Sequence, residues 1–350
     1  MRAVVLRQGR LGIREIPDPV PGPGELLVKT LSTAICGSDV HFMDHPELGI
    51  EDPTGRSLYA ADRDIVLGHE FVGEVLAHGP GCSDRFPVGA RVTSIPIRLV
   101  NGGADGTRII GQHPEAQGSF GELVVISEAI ARQVRSDVSD DAVALTDAFA
   151  VGEFYVRIAD VRPDEIAIVI GAGAIGLSAV AALAGRGVEP IIVADYNGER
   201  RALARDEFGA HILVDPAERA PFEVWRQVRA ERNLWGPAVV FECVGVPGLL
   251  QNLVESADMG TRLYCAGGWY TGDTLDVTTA TRRGVSIQFG GGPMPQDWYG
   301  TLDAIASGGL DPLPSIGQII TLDEVPDALD RARRSEGPPR VIVHPNGAPA

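Results

Sequence analysis

Two short stretches of this chain hold side chains that could bind and use a metal ion. Cys36-Gly37-Ser38-Asp39-Val40-His41 lies about thirty residues ahead of Gly68-His69-Glu70-Phe71-Val72-Gly73. Thiolate, imidazole and carboxylate are the ligand types that hold zinc and leave a position for substrate. A third stretch, Gly171-Ala172-Gly173-Ala174-Ile175-Gly176, follows the apolar run Ile166–Ile170, and Asp195 follows the next apolar run, Ile191–Ala194. A strand, a glycine turn, a helix start and then an acid is the pattern that takes a dinucleotide. A metal that polarises an alcohol, together with a cofactor that accepts hydride, implies alcohol dehydrogenation.

The glycine turn divides its work by position. Gly171 permits the tight turn, Gly173 lets backbone approach the pyrophosphate, and Gly176 lets helix and strand pack closely. Ala174 and Ile175 open the helix, whose unpaired N–H groups and positive dipole end would face the phosphates. Asp195 can accept both hydroxyls of the adenosine ribose. A 2′-phosphate there would meet a like charge, at a cost on the order of 1–4 kcal/mol. NAD is therefore expected over NADP. Arg200 and Arg201, which could accept a phosphate, sit in a helix of alternating charge and are read as surface residues.

Elements that must position these groups follow from the pattern of the chain. Short β-like runs at Ala3–Arg7, Glu25–Leu31, Glu70–His78, Arg91–Pro96 and Gly121–Ile126 are punctuated by Gly and Pro. A helical pattern then runs from Ala142 to Ile158, and strand and helix alternate to Val285–Phe289. That alternation predicts an α/β, doubly wound parallel sheet with helices on both faces. The expected organisation is a catalytic, mainly β domain over 1–150, a dinucleotide-binding domain over 151–293, and a return of 294–350 to the first.

Composition narrows the function classes. At 350 residues, 44% hydrophobic and 22% charged, the chain reads as a well-filled two-domain protein. A net charge of −17 argues against nucleic acid and anionic membranes as partners. No signal peptide or span is read, and a cytoplasmic protein is expected. Cys36, Cys82, Cys243 and Cys265 show no disulfide-framework spacing, and the last three read as small buried hydrophobes. Lys29 is the sole lysine and lies in an alternating strand, so Schiff-base chemistry is set aside.

The Cys-Gly-Ser-Asp-x-His stretch, the Gly-His-Glu-x-x-Gly stretch continued by Gly79 and Cys82, the glycine turn and the closing strand Val341–Val343 resemble the medium-chain dehydrogenase/reductase superfamily. The likeness is to its zinc-dependent branch of sorbitol-, threonine- and butanediol-dehydrogenase-like enzymes. It implies a Rossmann domain beside a discontinuous GroES-like catalytic domain, with Cys36 and His69 on the catalytic zinc. It implies Glu70 as a ligand exchanging with water, and Asp39 accepting a hydrogen bond from His69. The family's last acid falls on Asp147, one methylene shorter than the usual Glu, leaving direct or water-mediated ligation open; helix capping is its other reading. Glu153-Phe154 stands where relatives continue to a His. Relatives often carry a structural zinc on four cysteines, but Ile97–Ser119 has none, so one zinc per chain is expected. Arg98, Asn101, Asp105, His113 and Glu115 populate that lobe instead.

The resemblance further implies that Ser38 takes the substrate proton and that the relay continues through a nicotinamide ribose hydroxyl to His41 and solvent. The turns at Cys243-Val244 and Gly267-Gly268 would touch the cofactor with backbone groups. The expected substrate is a secondary alcohol, polyol or sugar hydroxyl, with the segment Asp44–Asp64 overhanging the zinc and His45, Tyr59, Phe120, Trp269 and Phe289 as pocket walls. Alternatives are a zinc-free NAD(P)H-dependent enone or quinone reductase of the same superfamily and a non-catalytic nucleotide-binding relic. Pairing of strands near Ser286–Gly290 would give a homodimer or homotetramer.

Overall fold

The strand Glu25–Ala34 organises the half of the chain that holds the candidate metal-ligand residues. Its side chains alternate, with Leu26, Val28 and Ala34 inaccessible to solvent, as expected for a strand packed on both faces. Antiparallel neighbours flank it on either side, Glu70–His78 and Arg340–Val343. The full sheet has seven strands, running from Ala131–Gln133 through Arg91–Ser94 and these three to Ile316–Ile320, with Leu123–Ser127 also paired to Glu25–Ala34. A three-stranded sheet, Arg10–Glu15, Arg2–Arg7 and Ile65–Val66, lies in the same unit. This computed structural model describes residues 1–49, 61–83, 85–268 and 272–347.

The contacts divide the chain into two units, Met1–Asp147 with Leu302–Ala350, and Ala148–Thr301. The first is discontinuous and mainly β. The second is a six-stranded parallel sheet in the order Ile212–Val214, Ile191–Ala194, Ile166–Ile170, Ala238–Glu242, Arg262–Cys265 and Ser286–Phe289. That order reverses direction between Ile166–Ile170 and Ala238–Glu242, the switch point at which doubly wound sheets bind ligands. Both of those strands are buried along their whole length, which is why they read as unbroken apolar runs.

In the first unit, the helix Gly37–Asp44 is anchored by Val40, Phe42 and Met43, which join a core with Ile35, Val325 and Leu329. That anchoring fixes the register of Ser38, Asp39 and His41 on the same helix. The expected helix over Ala142–Ile158 is two helices, Asp140–Ala144 and Thr146–Ala159. Thr146 Oγ1 bonds back to the Val143 carbonyl at 2.7 Å across the break, a contact that favours a bend in the helix there. The segment Asp44–Asp64, expected over the zinc, falls largely outside the described residues, as do Tyr59 and Trp269.

Candidate active site and cofactor turn

Three strand ends meet where the metal ligands were expected. Ala34, last residue of the central strand, is paired with Glu70 on one side and with Ile342 on the other. Cys36 follows two residues on as the cap of the helix Gly37–Asp44, Glu70 opens its own strand, and Arg340 opens the third. Antiparallel pairing thus places the end of one strand beside the starts of two others, and the distant sequence positions converge. Gly73, from the Gly-His-Glu stretch, sits where a Cβ would run into the Lys29 carbonyl, close to a bulge between Thr30 and Ser32.

The ligand atoms of Cys36, His69 and Glu70 all lie within 4.8 Å of one another. His69 is 6% exposed and Glu70 1%. Asp39, fully buried, organises the group: one carboxylate oxygen accepts from Cys36 N at 3.0 Å, and the other accepts from Gly68 N at 3.2 Å and faces His69 Nδ1 at 3.1 Å. A carboxylate on Nδ1 assigns the proton to that nitrogen and leaves the Nε2 lone pair as the ligand. Ser38 Oγ is 3.1 Å from that Nε2.

Burial opposes charge on both first ligands, yet neighbours win. The Cys36 thiol would be pushed up by burial, but the His69 bond and charge, then Arg340, hold it below its ordinary value. His69 loses from burial and gains more from Asp39 and Cys36, so its pKa stands well above the ordinary value. Cys36 is therefore disposed to be a thiolate, the form that binds a metal. Glu70 Oε1 is buried with no hydrogen-bond partner among the described residues, an acceptor that a cation would satisfy. These donors fit zinc. Asp147 lies on the first turn of Thr146–Ala159 and is not among the three clustered ligands.

Arg340 escaped the sequence reading. Its guanidinium forms an ion pair with Glu70, with side chains 1% and 0% exposed. Burial lowers its pKa, and the Cys36 charge and bond, with Asp39, oppose that. The available signal was one arginine heading the short apolar strand Arg340–Val343. Phe120, expected as a pocket wall, is fully buried core beneath Gly68, where its ring occupies the space a Cβ would need. Phe289 is 54% exposed, and His45 lies 3.5 Å from Glu47. His41 is depressed by burial, against the pull of Asp44.

In the second unit, Gly171–Gly176 links Ile166–Ile170 to the helix Ala174–Gly185. A Cβ on Gly176 would strike the Gly171 carbonyl, whereas one on Gly173 would meet nothing within 4 Å. The loop is closed on its packing side and open at Gly173, which fits a phosphate cradle. Asp195 receives Ala172 N and Asn197 N on its two oxygens, each at 2.7 Å. Glu242, also missed from sequence, is fully buried and accepts from Val244 N and Gly245 N at 2.7 and 2.8 Å. Its own carbonyl accepts from Ala266 N and Gly267 N. It thus sets the shape of the Cys243-Val244 turn and ties it to the turn through Gly267 and Gly268. Burial and Glu242 push the Cys243 thiol well up and the Cys265 thiol to about 12, consistent with inert sulfur.

Comparison with known proteins agrees with this geometry. The alcohol dehydrogenase GroES-like domain matches residues 22–136 and the zinc-binding dehydrogenase domain residues 174–307. An (R,R)-butanediol dehydrogenase of Bacillus subtilis (strain 168) is 30% identical over 270 residues, spanning 76% of each chain. An L-threonine 3-dehydrogenase of Rhizobium etli (strain CIAT 652) is 26% identical over 98% of both chains. The crystal structure of 2R,3R-butanediol dehydrogenase from Bacillus subtilis superposes with a TM-score of 0.82 at 24% identity, covering 99% of both chains, and shows the same fold. The chain belongs to the zinc-dependent alcohol and polyol dehydrogenase branch of the medium-chain dehydrogenase/reductase superfamily, whose chemistry uses zinc and NAD.

Proposed function

We propose that the protein oxidises a secondary alcohol, polyol or sugar hydroxyl to the ketone, passing hydride to NAD and releasing one proton. The observation that supports it most is the buried meeting of Cys36, His69 and Glu70 with the Ser38 hydroxyl set against His69. Cys36 Sγ, His69 Nε2 and a Glu70 oxygen would hold one zinc per chain, with Asp147 as the remaining acid, directly or through water. Zinc when bound supplies a Lewis acid that acidifies an alcohol, and NAD supplies the hydride acceptor.

Ser38 relays the hydroxyl proton: Oγ accepts it while giving up its own. His41, on the same helix and depressed by burial, is neutral near pH 7 and accepts that proton for delivery to solvent. Asp39 keeps the His69 ring in one tautomer throughout. The turn Gly171–Gly176 would receive the pyrophosphate, Asp195 the adenosine ribose, and the backbone of Cys243, Val244, Gly267 and Gly268 the rest of the cofactor.

Diols and hydroxy amino acids, the substrate types of the relatives, are the first to try. The test is metal analysis of purified protein paired with NAD reduction over secondary alcohols, polyols and sugars. About one zinc per chain and activity lost on chelation and restored by zinc are expected. No zinc, and no turnover after zinc is added back, would refute the reading. The expected site of action is the cytoplasm; no helix among the described residues is long and apolar enough to cross a membrane. A homodimer or homotetramer is supported by the strand Ser286–Phe289, an edge of its sheet among the described residues, with Phe289 exposed; a monomer by light scattering would exclude it.

A further inference from the structure

Arg201 does not stand at the surface as its helix pattern suggested. The helix Gly198–Asp206 is started by Asn197, whose side chain accepts from Glu199 N and Arg200 N. This start turns Arg201 back toward the strand ends. Its Nη1 donates to the Asp195 carbonyl at 2.5 Å and lies 3.1 Å from Asp215 Oδ2, with side chains 18% and 22% exposed. Asp215 directly follows the strand Ile212–Val214, and its other oxygen accepts Ala217 N at 2.9 Å. The acid is therefore clamped from both sides. The neighbouring strands are also joined here, with Asp195 N bonded to the Val214 carbonyl.

We propose that Asp215 is a positioning residue for cofactor specificity: it holds Arg201 under the ribose-binding acid and so withholds the guanidinium from a 2′-phosphate. The inference rests on reading Asp195 as that acid. An arginine near this position is the group with which such sites accept a 2′-phosphate. Here the cation is held by the Asp215 carboxylate and the Asp195 backbone carbonyl, while the Asp195 carboxylate is taken up by backbone amides, so the phosphate meets a locally negative site. Neutralising Asp215 removes one negative charge and releases the arginine. Each change favours the phosphate, and neither creates a contact to the ribose hydroxyls of NAD.

The test uses the full-length zinc protein and equilibrium titration of NADH and NADPH fluorescence. Asp215→Asn keeps an oxygen for Ala217 N and is expected to improve the NADPH-to-NADH affinity ratio about tenfold, the effect of one charge at partly solvated range. The gain should vanish in Asp215→Asn with Arg201→Gln, should be absent in Asp215→Glu, and should shrink in about 1 M salt, where screening acts within about 3 Å. Asp215→Ser, with a hydroxyl for Ala217 N, serves if the amide variant does not fold. An unchanged ratio in variants that fold, or a gain that survives loss of Arg201, overturns the proposal alone. Wild-type protein that binds neither nucleotide, or both equally, overturns the reading of Asp195 and the proposal with it.

Discussion

Replacing Arg340 by methionine isolates the most consequential contact in the metal site. Methionine keeps an unbranched apolar stem and removes the charge, leaving Glu70 as an uncompensated carboxylate with no exposed surface. Breaking a buried ion pair by removing one partner costs about 3–5 kcal/mol, because the remaining charge keeps its desolvation penalty. For a unit of this size each kcal/mol moves Tm by about 2–4 °C, so chelated Arg340→Met should melt roughly 6–20 °C lower. Adding Glu70→Leu removes the orphaned charge and should recover most of that loss, since paired charges and well-packed apolar replacements are often close in stability. Zinc should recover part of it by another route, as a cation beside Glu70 supplies the missing countercharge. Urea unfolding of wild type, both single variants and the double, each with chelator and with zinc, gives the cycle. The reasoning is refuted if chelated Arg340→Met loses less than about 1 kcal/mol, or if the double variant is no more stable than Arg340→Met.

Three further outcomes follow from other contacts. Asp39→Asn keeps the size but weakens the hold on His69 Nδ1, and competition with a fluorescent chelator should show zinc affinity about 10–100-fold lower. Arg98 forks onto both oxygens of the nearly buried Glu25, at 2.6 and 2.7 Å, and also donates to the Glu115 carbonyl. Arg98→Ala should cost about 3 kcal/mol in denaturant unfolding, whereas chelation should leave the contribution of this lobe untouched. Glu165 is held below its ordinary value of 4.5: burial would raise it, and the bonds and charges of Arg162 and Arg262 outweigh that. A depressed carboxylate stabilises fully above its unfolded pKa and loses that stability as pH falls through the folded one. Wild type should therefore lose stability below about pH 4.5 more steeply than Glu165→Gln, read from unfolding midpoints across pH.

Residues that repeat a local pattern were legible in the sequence. The parallel strands were long apolar runs because both faces of their sheet are covered. The cofactor turn declared itself because close packing and phosphate approach each demand glycine. Cys36, Asp39 and His69 were legible through their neighbours in the chain, and the structure brings them together as antiparallel pairing requires. Arg340 and Glu242 were not, because each is a single charged residue at the boundary of an apolar strand. From sequence, such a residue is indistinguishable from a solvated strand end. Only the partner across the fold, Glu70 for one and the turn amides of Val244 and Gly245 for the other, reveals the role. The break between the helices at Leu145 was hidden because neither Leu145 nor Thr146 is a helix breaker by type.

A common arrangement runs through both units. In the metal site, Asp39 spends both oxygens on Cys36 N, Gly68 N and the His69 ring. In the cofactor turn, Asp195 does the same on Ala172 N and Asn197 N, and Glu242 takes both Val244 N and Gly245 N on one oxygen. A carboxylate that takes backbone amides is already fixed in place, so it needs little further ordering when a ligand arrives. Preorganised dipoles of this kind lower the reorganisation that binding and reaction would otherwise require. Glu70 differs: among the described residues its charge is matched by the Arg340 side chain and by no backbone amide. That contrast separates the acids that shape the site from the acid that can move within it. It supports the proposal that Glu70, and not Asp39, is the carboxylate that would exchange with water on a metal.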